Sequence, residues 1–194
     1  MDNRKTDNPE LEQDILFGII NRFIGYFTRA AVPNTTNDTT HEYPFVAMDT
    51  RQAYDQLALA RDRLREQQSS SEPIKFIDIG CGIGNILLIA EMMEFEIFGI
   101  EKDLASLETA KGLVGEEYVS CQDIWTFDRI DQFDIVYYFR PFCEKNYQLR
   151  FERLVEEHIK PGGILIANRK MSTEIDQQPE FIRLDPDMPI WQKS

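Results

Sequence analysis

Histidine and cysteine are scarce in this 194-residue chain, two of the first and three of the second, and neither clusters at metal-ligand spacing. No metal centre is therefore expected. The odd set Cys81, Cys121 and Cys143 argues against a disulfide framework and for reduced, buried thiols. Basic residues are short too: 21 Lys and Arg face 34 Asp and Glu, a formal net charge of -13. Nucleic-acid affinity depends on cations that release counterions, so DNA and RNA are not expected partners. An uninterrupted apolar run of about 20 residues, the length that crosses a bilayer, is missing as well. The leading residues are charged and polar with no small-residue cleavage site after an apolar core. No secretory signal is read, a cytoplasmic setting is expected, and the Asn-x-Thr sequons at Asn34 and Asn37 are then incidental.

What the chain does contain is an acid and three close glycines at the end of an apolar strand: Phe76-Ile-Asp78-Ile-Gly80-Cys81-Gly82-Ile-Gly84-Asn85. A β-branched run, 74–79, leads in, and an apolar segment of helical length, 86–93, leads out. Glycine tolerates positive φ and lets a ligand approach the backbone, while the following helix offers its free N–H groups. The spacing departs from the G-x-G-x-x-G dinucleotide fingerprint, and Asp78 would repel a diphosphate. A cationic nucleoside suits it better.

Here the chain resembles the class I methyltransferases, whose first motif is (D/E)-x-G-x-G-x-G. The resemblance extends over roughly residues 73–170. It implies a Rossmann-like α/β fold, doubly wound and mostly parallel, that binds S-adenosylmethionine. Asp78, Gly80, Cys81, Gly82, Gly84 and Asn85 would then line the donor. A second strand, 96–100, ends on Glu101 and Lys102, where a carboxylate can accept from ribose hydroxyls. A helix over 104–113 and a strand over 117–121 follow. The resemblance then implies that Asp123 faces the adenine amino group and Ile124 supplies an apolar surface, although Asp128 and Asp131 lie close enough to compete. Residues 133–139 read as a central strand buried on both faces, with Asp134 as a structural acid at its start. A helix over 146–159, Pro161-Gly162-Gly163 and a strand over 164–168 complete the pattern.

Parallel α/β sheets hold ligands beyond the carboxyl ends of their strands, so Tyr137-Tyr138-Phe139-Arg140-Pro141-Phe142 is expected beside the reactive methyl group. Tyr138 and Arg140 are the catalytic candidates there. Family members acting on amides often carry Asn-Pro-Pro-Tyr or Asp-Pro-Pro-Tyr at this point. Phe139-Arg140 replaces the polar residue and first proline, which disfavours amide chemistry. Arg140 can grip a carboxylate or phosphate bidentately, or pair with Glu144.

The first 72 residues are expected to form a helical extension or lid on a donor-binding domain at 73–194. Residues 11–31 carry a broad apolar stripe at helical spacing, interrupted by Asn21 and Arg22, and read as too polar and too short to span a membrane. Packing on the fold or against a second copy is expected. A Thr- and Asn-rich loop follows at 32–40, then His41-Glu-Tyr43-Pro-Phe45, a helix over 50–68 and a Ser-rich connector. Tyr43 and Phe45 are candidate pocket aromatics, and His41, which titrates near neutrality, is a third catalytic candidate alongside its reading as a loop residue. His158 is assigned to a helix C-terminus. The C-terminal end is shortened, leaving room for two small strands, 180–184 and 190–192.

The reading is thus a methyltransferase for a small acceptor that carries an anion. A basic protein side chain as acceptor, a noncatalytic binding module and, more distantly, a dinucleotide oxidoreductase are its rivals.

Overall fold

The structure, a computed structural model, describes residues 9–67 and 72–194. The Ser-rich connector lies outside the described residues. Seven strands form one sheet in the order β3-β2-β1-β4-β5-β7-β6. They are β1 (Lys75–Ile79), β2 (Glu96–Glu101), β3 (Val119–Cys121), β4 (Ile135–Phe139), β5 (Ile164–Asn168), β6 (Phe181–Arg183) and β7 (Ile190–Lys193). The first five run parallel, and β7 joins β5 antiparallel with β6 beyond it. The chain winds outward from β1 in one direction through β2 and β3, then returns to β4 on the other side. A crevice therefore opens where strand order reverses, at the carboxyl ends of β1 and β4.

Alternation along the central strands divides the interior in two. Phe76, Ile135, Tyr137, Ile164 and Ile166 face one layer, built on α2 (Thr50–Gln67), α3 (Asn85–Met92) and α4 (Leu104–Val114). Ile77, Ile79, Val136, Tyr138, Leu165 and Ala167 face the other, covered by α5 (Lys145–His158). Two of these helices start on a carboxylate that accepts from their free N–H groups. Asp103 accepts from Ser106 N at 3.2 Å to begin α4, and Glu144 accepts from the Asn146 and Tyr147 amides at 3.0 and 2.9 Å to begin α5. Gly115, at φ 106°, closes α4.

Some expectations shift and others hold. The third strand loses its first two residues, because Glu116–Tyr118 turns as a 3-10 helix before β3. Between β5 and β6 the chain makes only the 3-10 turn Glu174–Gln177, in keeping with the shortened C-terminal end. Asp134 is structural, accepting from Lys75 N at 2.7 Å and pairing with Lys160 at 2.7 Å. Cys121 is exposed rather than buried, since it ends an edge strand three residues long, while Cys81 is buried as expected.

The N-terminal helix needs correction as well. α1 (Pro9–Ala31) continues through a 3-10 turn, so that 10–34 forms 25 helical residues, long and apolar enough to cross a membrane by length and composition, with a mean hydropathy of 1.3 over an 18-residue window within them. Two polar interruptions were too few to forbid it. One side of α1 is buried: Phe17, Ile20, Ile24 and Ala31 pack with Ile83 of the glycine turn. Tyr54 of α2 meets Phe17 at 5.3 Å between ring centroids. The side of α1 bearing Ile19, Phe23 and Tyr26 stays exposed.

Candidate functional site

The reversal point opens into a cavity of about 350 Å³, within the size range of small-ligand sites. Its floor is the glycine turn. Gly80, Gly82 and Gly84 all adopt positive φ, 75°, 55° and 83°, which explains three glycines in five residues. Gly84 also begins α3 and sits against Ala110, and Gly80 N and Cys81 N both donate to Ile100 O. Burial, Asp78 and Glu101 push the Cys81 thiol well above the usual range, which keeps it protonated and unreactive.

Asp78 lies at the end of β1, almost fully buried and facing the cavity. No side-chain hydrogen bond to it forms among the described residues, and burial followed by the Glu101 charge holds its pKa well above the ordinary carboxylate value. Glu101 is held by the turn itself. Its Oε2 accepts from Gly82 N at 2.9 Å, and its Oε1 from Lys102 N and Asp103 N at 2.8 Å each. Burial outweighs these bonds, which favour the ionised form, and leaves its pKa raised. Asp123 lines the opposite wall with Gln122 and Ile124, accepting from Trp125 N at 3.0 Å.

Two buried donors beside the turn make no hydrogen bond of good geometry among the described residues. Asn85 Nδ2 is one, at the first position of α3. Tyr137 Oη is the other. The Asn168 amide interacts weakly with this hydroxyl and is committed to Gln56 by paired bonds of 2.8 and 3.0 Å. Burial and then Asp78 push the Tyr137 hydroxyl's pKa well up, so it remains a donor.

The N-terminal segment closes the cavity. Glu42 bridges to Phe142 in antiparallel fashion, with Tyr43 N donating to Pro141 O and Cys143 N to His41 O, both at 3.0 Å. Glu42 ion-pairs with Lys102. The loop before it is tied down by Asp103, whose Oδ1 accepts from Thr36 N at 2.7 Å and from the Thr35 and Thr36 hydroxyls. Phe45 lies directly on Gly82: a Cβ there would come within 2.2 Å of the ring. Phe45→Ala is expected to loosen this closure. Removing a half-buried ring sacrifices about 1.4 kcal/mol, so hydrogen exchange at the Tyr43 and Cys143 amides should quicken about tenfold. Unchanged exchange would show that the bridge stands without the ring.

Of the residues named from the sequence, Asp78, Gly80, Cys81, Asn85, Glu101, Lys102, Asp123, Ile124 and Arg140 line the cavity, while Gly82 and Gly84 shape it from beneath. Tyr138 does not line it. It packs edge-on against Phe151 at 4.9 Å in the opposite layer, and its neighbour Tyr137 takes the cavity side. His41 is also outside, stacked on Tyr147 at 4.7 Å. Arg140 forms no ion pair with Glu144, whose carboxylate caps α5. Tyr137 and Phe139, expected at this end of the sheet but not singled out, line the cavity; Arg169 was missed, although it directly follows β5, so the strand-end rule that selected Arg140 applies to it equally.

A doubly wound parallel sheet with an acidic, glycine-floored crevice at its reversal point defines a nucleoside-binding α/β protein. Residues 77–167, just under half of the chain, match the family model of a methyltransferase domain. No curated protein matches the chain. Among solved structures, an amino pentose methyltransferase from Micromonospora echinaspora is similar, at 22% identity and a TM-score of 0.48 over 68% of this chain and 61% of its own. A sugar N-methyltransferase from Streptoalloteichus shows 21% identity and a TM-score of 0.47 over 61% and 47%. A plantazolicin methyltransferase solved with S-adenosylhomocysteine shows 18% and 0.46 over 66% and 51%. The chain spans about half the length of these first structural matches.

Proposed function

We propose that this chain is an S-adenosylmethionine-dependent methyltransferase acting on a small molecule that carries an anionic group. Two polar groups at the glycine turn without a hydrogen-bond partner among the described residues carry the reading, the Asp78 carboxylate and Asn85 Nδ2, with the weakly engaged Tyr137 hydroxyl beside them. A donor with an ammonium, a carboxylate and a sulfonium complements them. Asp78 would hold the ammonium, Asn85 Nδ2 the carboxylate, and Glu101 and Asp123 the ribose and base. The sulfonium supplies an already activated methyl group, and its transfer leaves the bonding pair on sulfur as a neutral thioether. The protein has then to align and to exclude water. Phe45, Phe139 and Phe142 wall the cavity against solvent. Residues 1–72 serve as the lid of a donor-binding domain at 73–194, in a cytoplasmic setting.

Arg140 at the mouth favours an anionic small molecule over a basic protein side chain, which it would repel. Two measurements test the reading. Calorimetry should show S-adenosylmethionine bound and NAD not; tight NAD binding would overturn it. A cell extract incubated with the protein and methyl-labelled donor should gain label in small molecules. Label in peptides would transfer the assignment to proteins, and donor binding without turnover on any acceptor would make the chain a binding module.

A further inference from the structure

β4 and β5 end in register, Phe139 opposite Asn168, and Arg140 N donates to Asn168 O at 3.1 Å. The residues that leave the two strands side by side are therefore Arg140 and Arg169, and both line the cavity. Among the described residues neither forms an ion pair, in a chain where acids outnumber bases by 34 to 21. The nearby acids are committed elsewhere. Glu144 caps α5, Glu42 takes Lys102, and Glu152 and Glu156 take Lys170 at 3.0 and 2.7 Å.

Arg140 is also held by its side chain and Arg169 by its backbone. Arg140 Nε donates to Phe142 O at 3.4 Å and its guanidinium lies 5.4 Å from the Tyr43 ring centroid, leaving its two terminal nitrogens without a hydrogen bond among the described residues. Arg169 sits between two anchored neighbours, Asn168 on Gln56 and Lys170 on the glutamate pair, and takes a left-handed φ of 58° that is rare outside glycine. The cavity is polar end to end: Asp78, Glu101 and Asp123 mark an acidic side, Arg140 and Arg169 a basic one.

We propose that Arg140 and Arg169 form a two-arginine clamp for a carboxylate or phosphate on the methyl acceptor, with Tyr43 and Phe139 flanking an aromatic or apolar body. The substrate class is thus a small aromatic or apolar acid. The anion is a handle: its lone pairs are engaged by guanidinium N–H groups, so the methyl goes to a different atom of the same molecule. The assignment of the ligand as an acceptor rests on the methyltransferase reading, whereas the clamp itself does not.

The test titrates protein saturated with S-adenosylhomocysteine with benzoate, phenyl phosphate and neutral benzyl alcohol. The anions should bind at least tenfold tighter than the alcohol, the size of effect a charged hydrogen-bonded pair brings. The better of the two names the acceptor's anion. Arg140→Gln and Arg169→Gln should each weaken anion binding about tenfold while the affinity for S-adenosylhomocysteine stays within about twofold. Arg140→Lys, which keeps charge but loses the fork, should recover only part of the loss. Anions no tighter than the alcohol, or variants that lose homocysteine-product and anion affinity together, would overturn the clamp. Failure of the wild-type protein to bind S-adenosylhomocysteine would sink the methyltransferase reading instead, and the same anion titration of the free protein would still decide the clamp.

Discussion

Asp78→Asn should weaken S-adenosylmethionine binding about 100-fold, or ~2.7 kcal/mol, while raising the melting temperature of the ligand-free protein by about 3 °C. Both effects have one origin. The carboxylate is buried beside Glu101 with no hydrogen-bond partner among the described residues, so its charge is unfavourable until a cation arrives. An amide of the same shape removes that cost and, with it, the attraction for the donor.

The same feature sets a pH dependence. The folded-state pKa of Asp78 is raised well above 3.8, so the folded chain keeps a proton that the unfolded chain has released. Stability of the ligand-free protein should therefore fall as pH rises from about 4 through the folded-state value and stay at that lower level above it. Donor affinity should rise over the same interval, because the cation selects the ionised carboxylate and expels its proton. Melting curves against pH, and calorimetry in buffers of different ionisation enthalpy, measure the two slopes. An Asn variant that binds the donor as well as wild type, or a binding reaction that releases no proton, would remove Asp78 from the donor site.

The second large effect lies behind the arginine pair. Lys170→Met should cost about 3–5 kcal/mol, lowering the melting temperature by roughly 10 °C. Lys170 is 4% exposed and holds two buried carboxylates of α5, Glu152 and Glu156. Glu152 also accepts from Gln148 Nε2, Met171 N and Ser172 N at 2.9, 2.7 and 2.8 Å. Without the ammonium, two buried acids face each other uncompensated, whereas adding Glu156→Gln should restore part of the loss. Urea denaturation measures both, and a deficit under about 1 kcal/mol would mean that the pair behaves as a solvated surface ion pair.

How legible the site was depended on how local its physics is. The turn at Asp78–Gly84 could be read because positive φ at three positions demands glycine, a constraint carried by the residue itself. Glu101 could be read from its place after a strand, whereas Asp123 came only from the family resemblance, with Asp128 and Asp131 beside it. Tyr137 and Tyr138 could not be told apart, because a strand buried on both faces offers no polar alternation to fix which side faces the ligand. Phe45 reaches Gly82 across 37 positions, a contact no spacing rule encodes. Arg169 stood at a readable strand end, yet its freedom to bind an anion depends on Lys170 absorbing the neighbouring acids, and that is tertiary. The extent of α1 was legible from its apolar stripe, but Asn21 and Arg22 led its apolar character to be judged too low, since a helix of 23 accommodates two polar residues easily.

Ile83 sits between the second and third glycines and is buried in the same cluster as the inner face of α1. The shape of the donor floor and the seating of α1 therefore share one residue, and linkage makes their effects reciprocal. If lifting α1 lowers donor affinity by some factor, bound donor must hold α1 down by that same factor. A partner that competes for the inner face of this helix would then act as an inhibitor without entering the cavity, and one that binds its exposed side would leave the donor floor untouched.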